Sequence, residues 1–341
     1  MSNRRPLWPL ISLAATLLSA VTIAACGGAS ERAESAVIAI DGSSTVFPIS
    51  QAVAEDFQRE NPAIRVTVAE SGTGGGFQKF CRNETAISDA SRPVKATEAE
   101  LCAGAGISYV ELPVAYDGLA VVVSHSNTWV NSMTVEELHK LWEPAAQGQI
   151  KRWNQIRADW PDAEIHLFGP GTASGTFDYF TEAINGKAQE SRGDYTASED
   201  DNVLVQGIAG DPNALGYFGL AYFEQNQDKL KLVPVDDGNP DNGAGPIAPS
   251  IETVRNGTYR PLSRPLFIYA NTKALERPEV QKFVEFYMKL DDALIREVGY
   301  VPLAPAEQDL VRKRWAARTT GSMFTNASHT ASLEDLLKGM H

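Results

Sequence analysis

Three times in this chain a short apolar run ends in a loop of hydroxyl residues and glycines, and each time a helical pattern follows at once. Val37-Ile38-Ala39-Ile40 runs into Asp41-Gly42-Ser43-Ser44-Thr45, with Ile49, Val53 and Phe57 beyond it on one helical face. Ile64, Val66 and Val68 alternate and deliver the chain to Ser71-Gly72-Thr73-Gly74-Gly75-Gly76, after which Phe77, Phe80 and Cys81 suit a helix. Ile165-His166-Leu167-Phe168 leads to Gly169-Pro170-Gly171-Thr172-Ala173-Ser174-Gly175-Thr176, and Phe177, Phe180 and Ile184 recur at helical spacing. Such a change of period marks a strand passing into a helix. Three of these units predict an α/β chain whose loops converge in one crevice at the ends of parallel strands.

The third loop shows what such a crevice can hold. Ser174 or Thr172 can cap the helix, Gly175 leaves its backbone approachable, and the first N–H groups of a helix have no intrahelical partner. Those donors, the hydroxyls and the positive helix end together favour a small oxyanion. Other glycine motifs fit less well. Gly169-x-Gly171-x-x-Ser174 is one glycine short of a dinucleotide fingerprint, and no lysine follows to make a P-loop. The loop is not the Gly-x-Ser-x-Gly elbow of a hydrolase. Taken alone it is equally an ordinary capped helix. A candidate charge is Arg92, at the end of the strand-like Ala86-Ile87-Ser88-Asp89-Ala90; the alternative is a surface arginine paired with Asp89 or Glu98. Lys79 and Arg82 compete with it, but fall beyond the first turn of their helix.

The 341 residues, 43% hydrophobic and 21% charged, suffice for about two domains. Arg4 and Arg5 precede an apolar run from Leu10 to Ala25 that closes on Ile23-Ala24-Ala25-Cys26. Residues 1–25 read as an export signal resembling a bacterial lipobox, with cleavage before Cys26, lipid on its sulfur and residues 26–36 as a tether. The alternative is a plain secretory signal. A net charge of −13 argues against a nucleic-acid partner and requires any oxyanion to be held by local donors. Export and the lack of other partners make a Cys81–Cys102 disulfide the expected pairing, against two unlinked thiols. The five histidines lie far apart without ligand spacing, so no metal site is expected.

Further along, strands are expected at Ile107 to Leu112 and Ala115 to Val123. Thr134-Val-Glu-Glu137 is a capping box opening a helix to about Trp142. Pro265 to Ala270 is strand-like, and the helical patterns after it have no sheet of their own. They are expected to pack on the first unit, giving two lobes joined by two crossings.

These residues resemble the solute-binding lipoproteins of the high-affinity phosphate ABC transporter. The likeness runs from Ile38 to about Leu337 through Asp-Gly-Ser-Ser-Thr-Val-Phe-Pro-Ile, Ser-Gly-Thr-Gly-Gly-Gly-Phe, Ile-Ser-Asp-Ala-Ser-Arg-Pro, Gly-Pro-Gly-Thr-Ala-Ser-Gly-Thr-Phe-Asp-Tyr-Phe and Leu-Glu-Asp-Leu-Leu-Lys. It implies a two-lobed type II periplasmic-binding-protein fold, two mixed sheets flanked by helices with a two-strand hinge. Lobe 1 would comprise 37–116 plus 266–341, and lobe 2 would comprise 117–265. It implies phosphate binding by Ser44, Thr45 and Val46, by Thr73, and by Ser174, Gly175 and Thr176. Pro170 stands where the best-known members have an arginine, and Ser91 where they have an aspartate. Arg92 and Asp89 are therefore expected to supply the guanidinium and carboxylate. The resemblance further implies a monomer without cofactor, lipid-anchored on the outer side of a membrane, that hands inorganic phosphate to an ABC permease. The rival readings are an exported phosphatase and a binding protein for another tetrahedral oxyanion.

Overall fold

The ends of β11 (Ser263–Asn271) and β4 (Tyr109–Ser124) set the layout, because these two strands cross the middle of the molecule side by side. The computed structural model describes residues 36–324 and 332–339, so the readings of the leader and Cys26 lie outside it. The remaining strands are β1 (Ala36–Gly42), β2 (Ile64–Glu70), β3 (Ile87–Ala90), β5 (Met133–Thr134), β6 (His166–Gly169), β7 (Thr196–Ala197), β8 (Ala214–Gly219), β9 (Leu230–Leu232) and β10 (Val235–Asp236). Of the eleven described strands, nine form one mixed sheet in the order β2-β1-β3-β11-β4-β8-β6-β7, with β9 also on β4. β5 and β10 make a separate parallel pair.

β1 is parallel to β2 and β3, and β6 is parallel to β7 and β8, as the strand–loop–helix units require. β11 runs antiparallel to both of its neighbours. Residues 109–118 of β4 pair with β11 except at a bulge, and residues 119–124 pair with β8 and β9. The sequence suggested a break at Pro113, but β4 is one strand of 16 residues, buried throughout. The register shifts between Leu266 and Phe267, leaving Val114 without an opposite residue; this bulge accommodates the proline.

Helices α1 (Phe47–Glu60), α2 (Gly72–Cys81), α3 (Ala96–Gly104), α4 (Val135–Trp142) and α5 (Gly175–Asn185) follow the loops and capping signals. α2 differs from expectation in starting at Gly72, so the glycines are its first turns and not a preceding loop. They permit close approach to the sheet: a Cβ on Gly76 would stand 2.9 Å from Ser88 Oγ and 3.0 Å from Asp41 O. A disulfide joins Cys81 of α2 to Cys102 of α3. Aromatic packing fills both ends of the sheet. Phe57 meets Phe283 edge-on at 5.1 Å, while Phe180 stacks on Tyr217 at 3.6 Å with Trp142 edge-on to both.

Candidate functional site

Each loop is held by hydrogen bonds to its own helix or to a neighbouring strand. After β1, Ser43 donates its N–H to Asp89 O at 3.0 Å and accepts the N–H groups of Val46 and Phe47 at 3.1 and 2.9 Å. After β2, Ser71 caps α2 without a side-chain bond to it, donating instead to Asp41 Oδ1 at 2.5 Å. The first N–H groups of α2 are therefore not closed off by their cap residue. Thr73 accepts the Ser91 N–H at 3.2 Å, and its hydroxyl lies 3.2 Å from Ser91 Oγ. After β6, Ser174 rather than Thr172 caps α5, accepting the Thr176 N–H at 3.2 Å and keeping its own O–H to donate.

The loops meet. Thr45 Oγ1 donates to Gly175 O at 3.4 Å, and a Cβ on Gly175 would fall 2.8 Å from Thr45 Cα, so glycine is what permits the contact. Beside this contact lies a cavity of 220 Å³ lined by Ser44, Thr45, Thr73, Ser91 and Arg92, together with Asp178, Tyr179 and Arg264. On its other side a space of 460 Å³ is lined by Ser174, Gly175 and Thr176 with Glu199 and Asp201. Ser44 lines both. Val46 lines neither; its side chain is buried and its N–H is used in the turn.

Asp89, expected beside the ligand, turns the other way. Successive β3 side chains alternate, so Ser88 faces Gly76 of α2 while Asp89 faces Ser50 of α1. Ser50 donates to Asp89 Oδ1 at 2.9 Å and shares a hydrogen bond with the Tyr287 hydroxyl, also at 2.9 Å. Asp89 Oδ2 has no partner among the described residues. Burial pushes the carboxyl up to about 8, against the Ser50 hydrogen bond and with help from Asp41. Asp178 is a carboxylate that does line the cavity: Ser44 Oγ donates to its Oδ2 at 3.4 Å, and its Oδ1 has no partner among the described residues.

Arg92 reaches the cavity wall but is clamped by Glu98 through bonds of 2.8 and 2.7 Å. Lys79 pairs with Asp41, and Arg82 pairs with Glu84. The sequence reading did not single out Arg264, whose Nη2 donates to Thr45 Oγ1 at 3.1 Å. One signal could have drawn notice to it: Ser263-Arg264-Pro265 repeats the tripeptide Ser91-Arg92-Pro93. Among the described residues no group of three or more His, Cys, Asp or Glu is arranged to hold a metal ion.

The model of a PBP superfamily domain matches residues 27–289. Protein SphX of Synechococcus elongatus is 48% identical over 90% of this chain and 89% of its own length. Phosphate-binding protein PstS of Staphylococcus saprophyticus is 37% identical over 87% of this chain and 90% of its own. The chain belongs to the PstS-type family of solute-binding proteins. A solved structure described as a possible phosphate binding protein from Planctomyces limnophilus matches with a TM-score of 0.79 and 50% identity, over 83% of this chain and 98% of that one. The mixed sheet with flanking helices is thus the PstS-type architecture that the resemblance implied, except that the two sheets expected run together through β11 and β4 into one of nine strands.

Proposed function

We propose that this chain captures inorganic phosphate between its loops and delivers it to the permease of an ABC transporter. The observation that carries the reading is the cavity beside the Thr45–Gly175 contact, where hydroxyls, an uncapped helix start and two guanidinium groups surround a space of 220 Å³. Such a set replaces the hydration shell of an anion with N–H and O–H donors and positive charge. Ser44, Thr45 and Thr73 act from one side with Arg92, and Ser174, Gly175 and Thr176 act from α5 across the Thr45–Gly175 contact, where they line the adjoining space that Ser44 shares. Val46 serves through its backbone. Asp89 supports the first loop from behind through its carbonyl, and Asp178 accepts the O–H of hydrogen phosphate. Sulfate brings no proton at neutral pH and would leave that carboxylate facing a like charge.

The chain divides into lobe 1 (37–116 and 266–341) and lobe 2 (117–265), which hinge where β4 and β11 cross and close over the ligand. No covalent step is involved. Residues 1–25 direct export, Cys26 carries the lipid that holds the monomer to the outer membrane face, and the closed form is what the permease receives. Calorimetry on the mature chain tests the ligand: phosphate gives saturable heat, arsenate competes, and sulfate and molybdate give none. Turnover of a chromogenic phosphate ester would favour a phosphatase instead.

A further inference from the structure

Arg264 stands on β11 directly opposite Asp117 of β4. Its guanidinium touches three separate parts of the chain. Nη2 donates to Thr45 Oγ1, on the loop after β1. Its Cζ lies over the Tyr179 ring of α5, 3.5 Å from the ring centre, and Tyr179 donates its hydroxyl to Pro261 O at 2.7 Å, just before β11. Nε and Nη2 each reach Asp117 Oδ2 at 3.4 Å, contacts too long to use up the fork. Nη1 makes no hydrogen bond to the described residues; its acid neighbour is Glu182, 3.9 Å away with a half-exposed side chain. The Arg264 side chain is only 13% exposed and still lines the cavity.

A buried divalent anion needs a cation, and a planar fork suits two oxyanion oxygens at once. Arg92 offers its fork to Glu98 already, with both nitrogens at short range. We infer that Arg264 is the principal cation for the bound phosphate, and that it ties occupancy of the cavity to the closed contact between Thr45 and α5. The second half follows from where it is rooted. It stands on the crossing strands and reaches both sides, so an anion drawing in Nη1 pulls on Thr45 and Tyr179 through one rigid group. This rests on the phosphate reading proposed above.

The mature protein, Arg264→Met, Arg264→Lys and Arg92→Met are titrated with inorganic phosphate by calorimetry at fixed ionic strength, and small-angle scattering is recorded with and without phosphate. Arg264→Met should bind at least roughly 100-fold more weakly than wild type, since a charged partner is removed from a desolvated site. Arg264→Lys should recover part of that loss, because it keeps the charge without the fork. Arg92→Met should lose less than Arg264→Met. Wild type should contract on adding phosphate, and Arg264→Met should not contract even at saturation.

Arg264→Met also leaves Asp117 buried without its cation, so the double variant with Asp117→Asn is titrated beside it. Loss of binding in both supports a direct role. Binding restored in the double variant would trace the defect to the stranded acid and overturn the inference. Binding in Arg264→Met within about threefold of wild type would overturn it also, as would Arg92→Met proving the more damaging change. A wild type that ignores phosphate would refute the ligand reading and this one together, whereas a binding wild type with an unaffected Arg264→Met refutes only this one.

Discussion

Asp89 and Asp117 lie on the two strands that flank β11, opposite Ile268 and Arg264 respectively. They are 0% and 2% exposed, and burial pushes both carboxyls up. Their neighbours separate them. Asp89 receives a hydroxyl from Ser50 and meets no cation among the described residues, so nothing offsets the burial that favours its neutral acid form except that one hydrogen bond. Asp117 faces the Arg264 guanidinium, whose charge and hydrogen bonds act against the effect of burial and which it in turn holds at the cavity wall. The role of a buried carboxyl is thus set by what stands across the ladder and not by its distance in sequence from a binding loop.

The same substitution should therefore act with opposite sign at the two positions. Because the folded-state value of Asp89 is raised, the native chain holds a proton that the unfolded chain releases above about pH 4. Its contribution is fully present below that point and is lost as pH rises through about 8. Between pH 4 and 7 wild type should lose on the order of 4 kcal/mol from this one group, at about 1.4 kcal/mol per unit of pH. Asp89→Asn should lack that slope and be the more stable protein at pH 7. Urea unfolding across this range checks it; parallel curves for the two proteins would show that Asp89 is ionised in the fold.

Asp117→Asn should instead destabilise, by roughly 3 kcal/mol, since it leaves a largely buried guanidinium without its counter-charge. Thermal unfolding beside Asp89→Asn measures the contrast directly. Equal and like-signed changes would erase the distinction between the two acids.

Smaller effects are expected at the hydroxyls of α5. Ser174→Ala and Thr176→Val each remove a donor from a desolvated anion, worth on the order of 1.5 kcal/mol or more, so phosphate affinity should fall about tenfold with little change in stability. Ser174→Ala also removes the cap bond to Thr176 N, and a drop of about 1 kcal/mol in stability is expected for that variant alone. Wild-type affinity in both would assign the α5 start a purely structural role and leave the charge of Arg264 to act with the first-half loops.

Local chemistry was legible in the chain. The strand–loop–helix units, the capping box in which Thr134 and Glu137 exchange hydrogen bonds, and the Ser174 cap all depend on residues within a few positions of one another. The Cys81–Cys102 pairing followed from compartment and count, and its partners are 21 residues apart. The alternation that turned Asp89 toward α1 was also present in the sequence. Which face of β3 each helix would cover was not, and that decided whether its carboxyl met ligand or core.

The choice of Arg264 over Arg92 came from the fold alone. Both sit in the same Ser-Arg-Pro tripeptide, and nothing within either tripeptide ranks them. Arg92 finds an acid six residues on, at the start of the next helix, whereas Arg264 meets Thr45 across a separation of 219 residues. The chain by itself determined where backbone turns, caps and hydroxyls would lie, because those are settled by neighbours in sequence. Strand order decided which charges face each other, because β11 reaches β4 only after every intervening element has packed and placed it there.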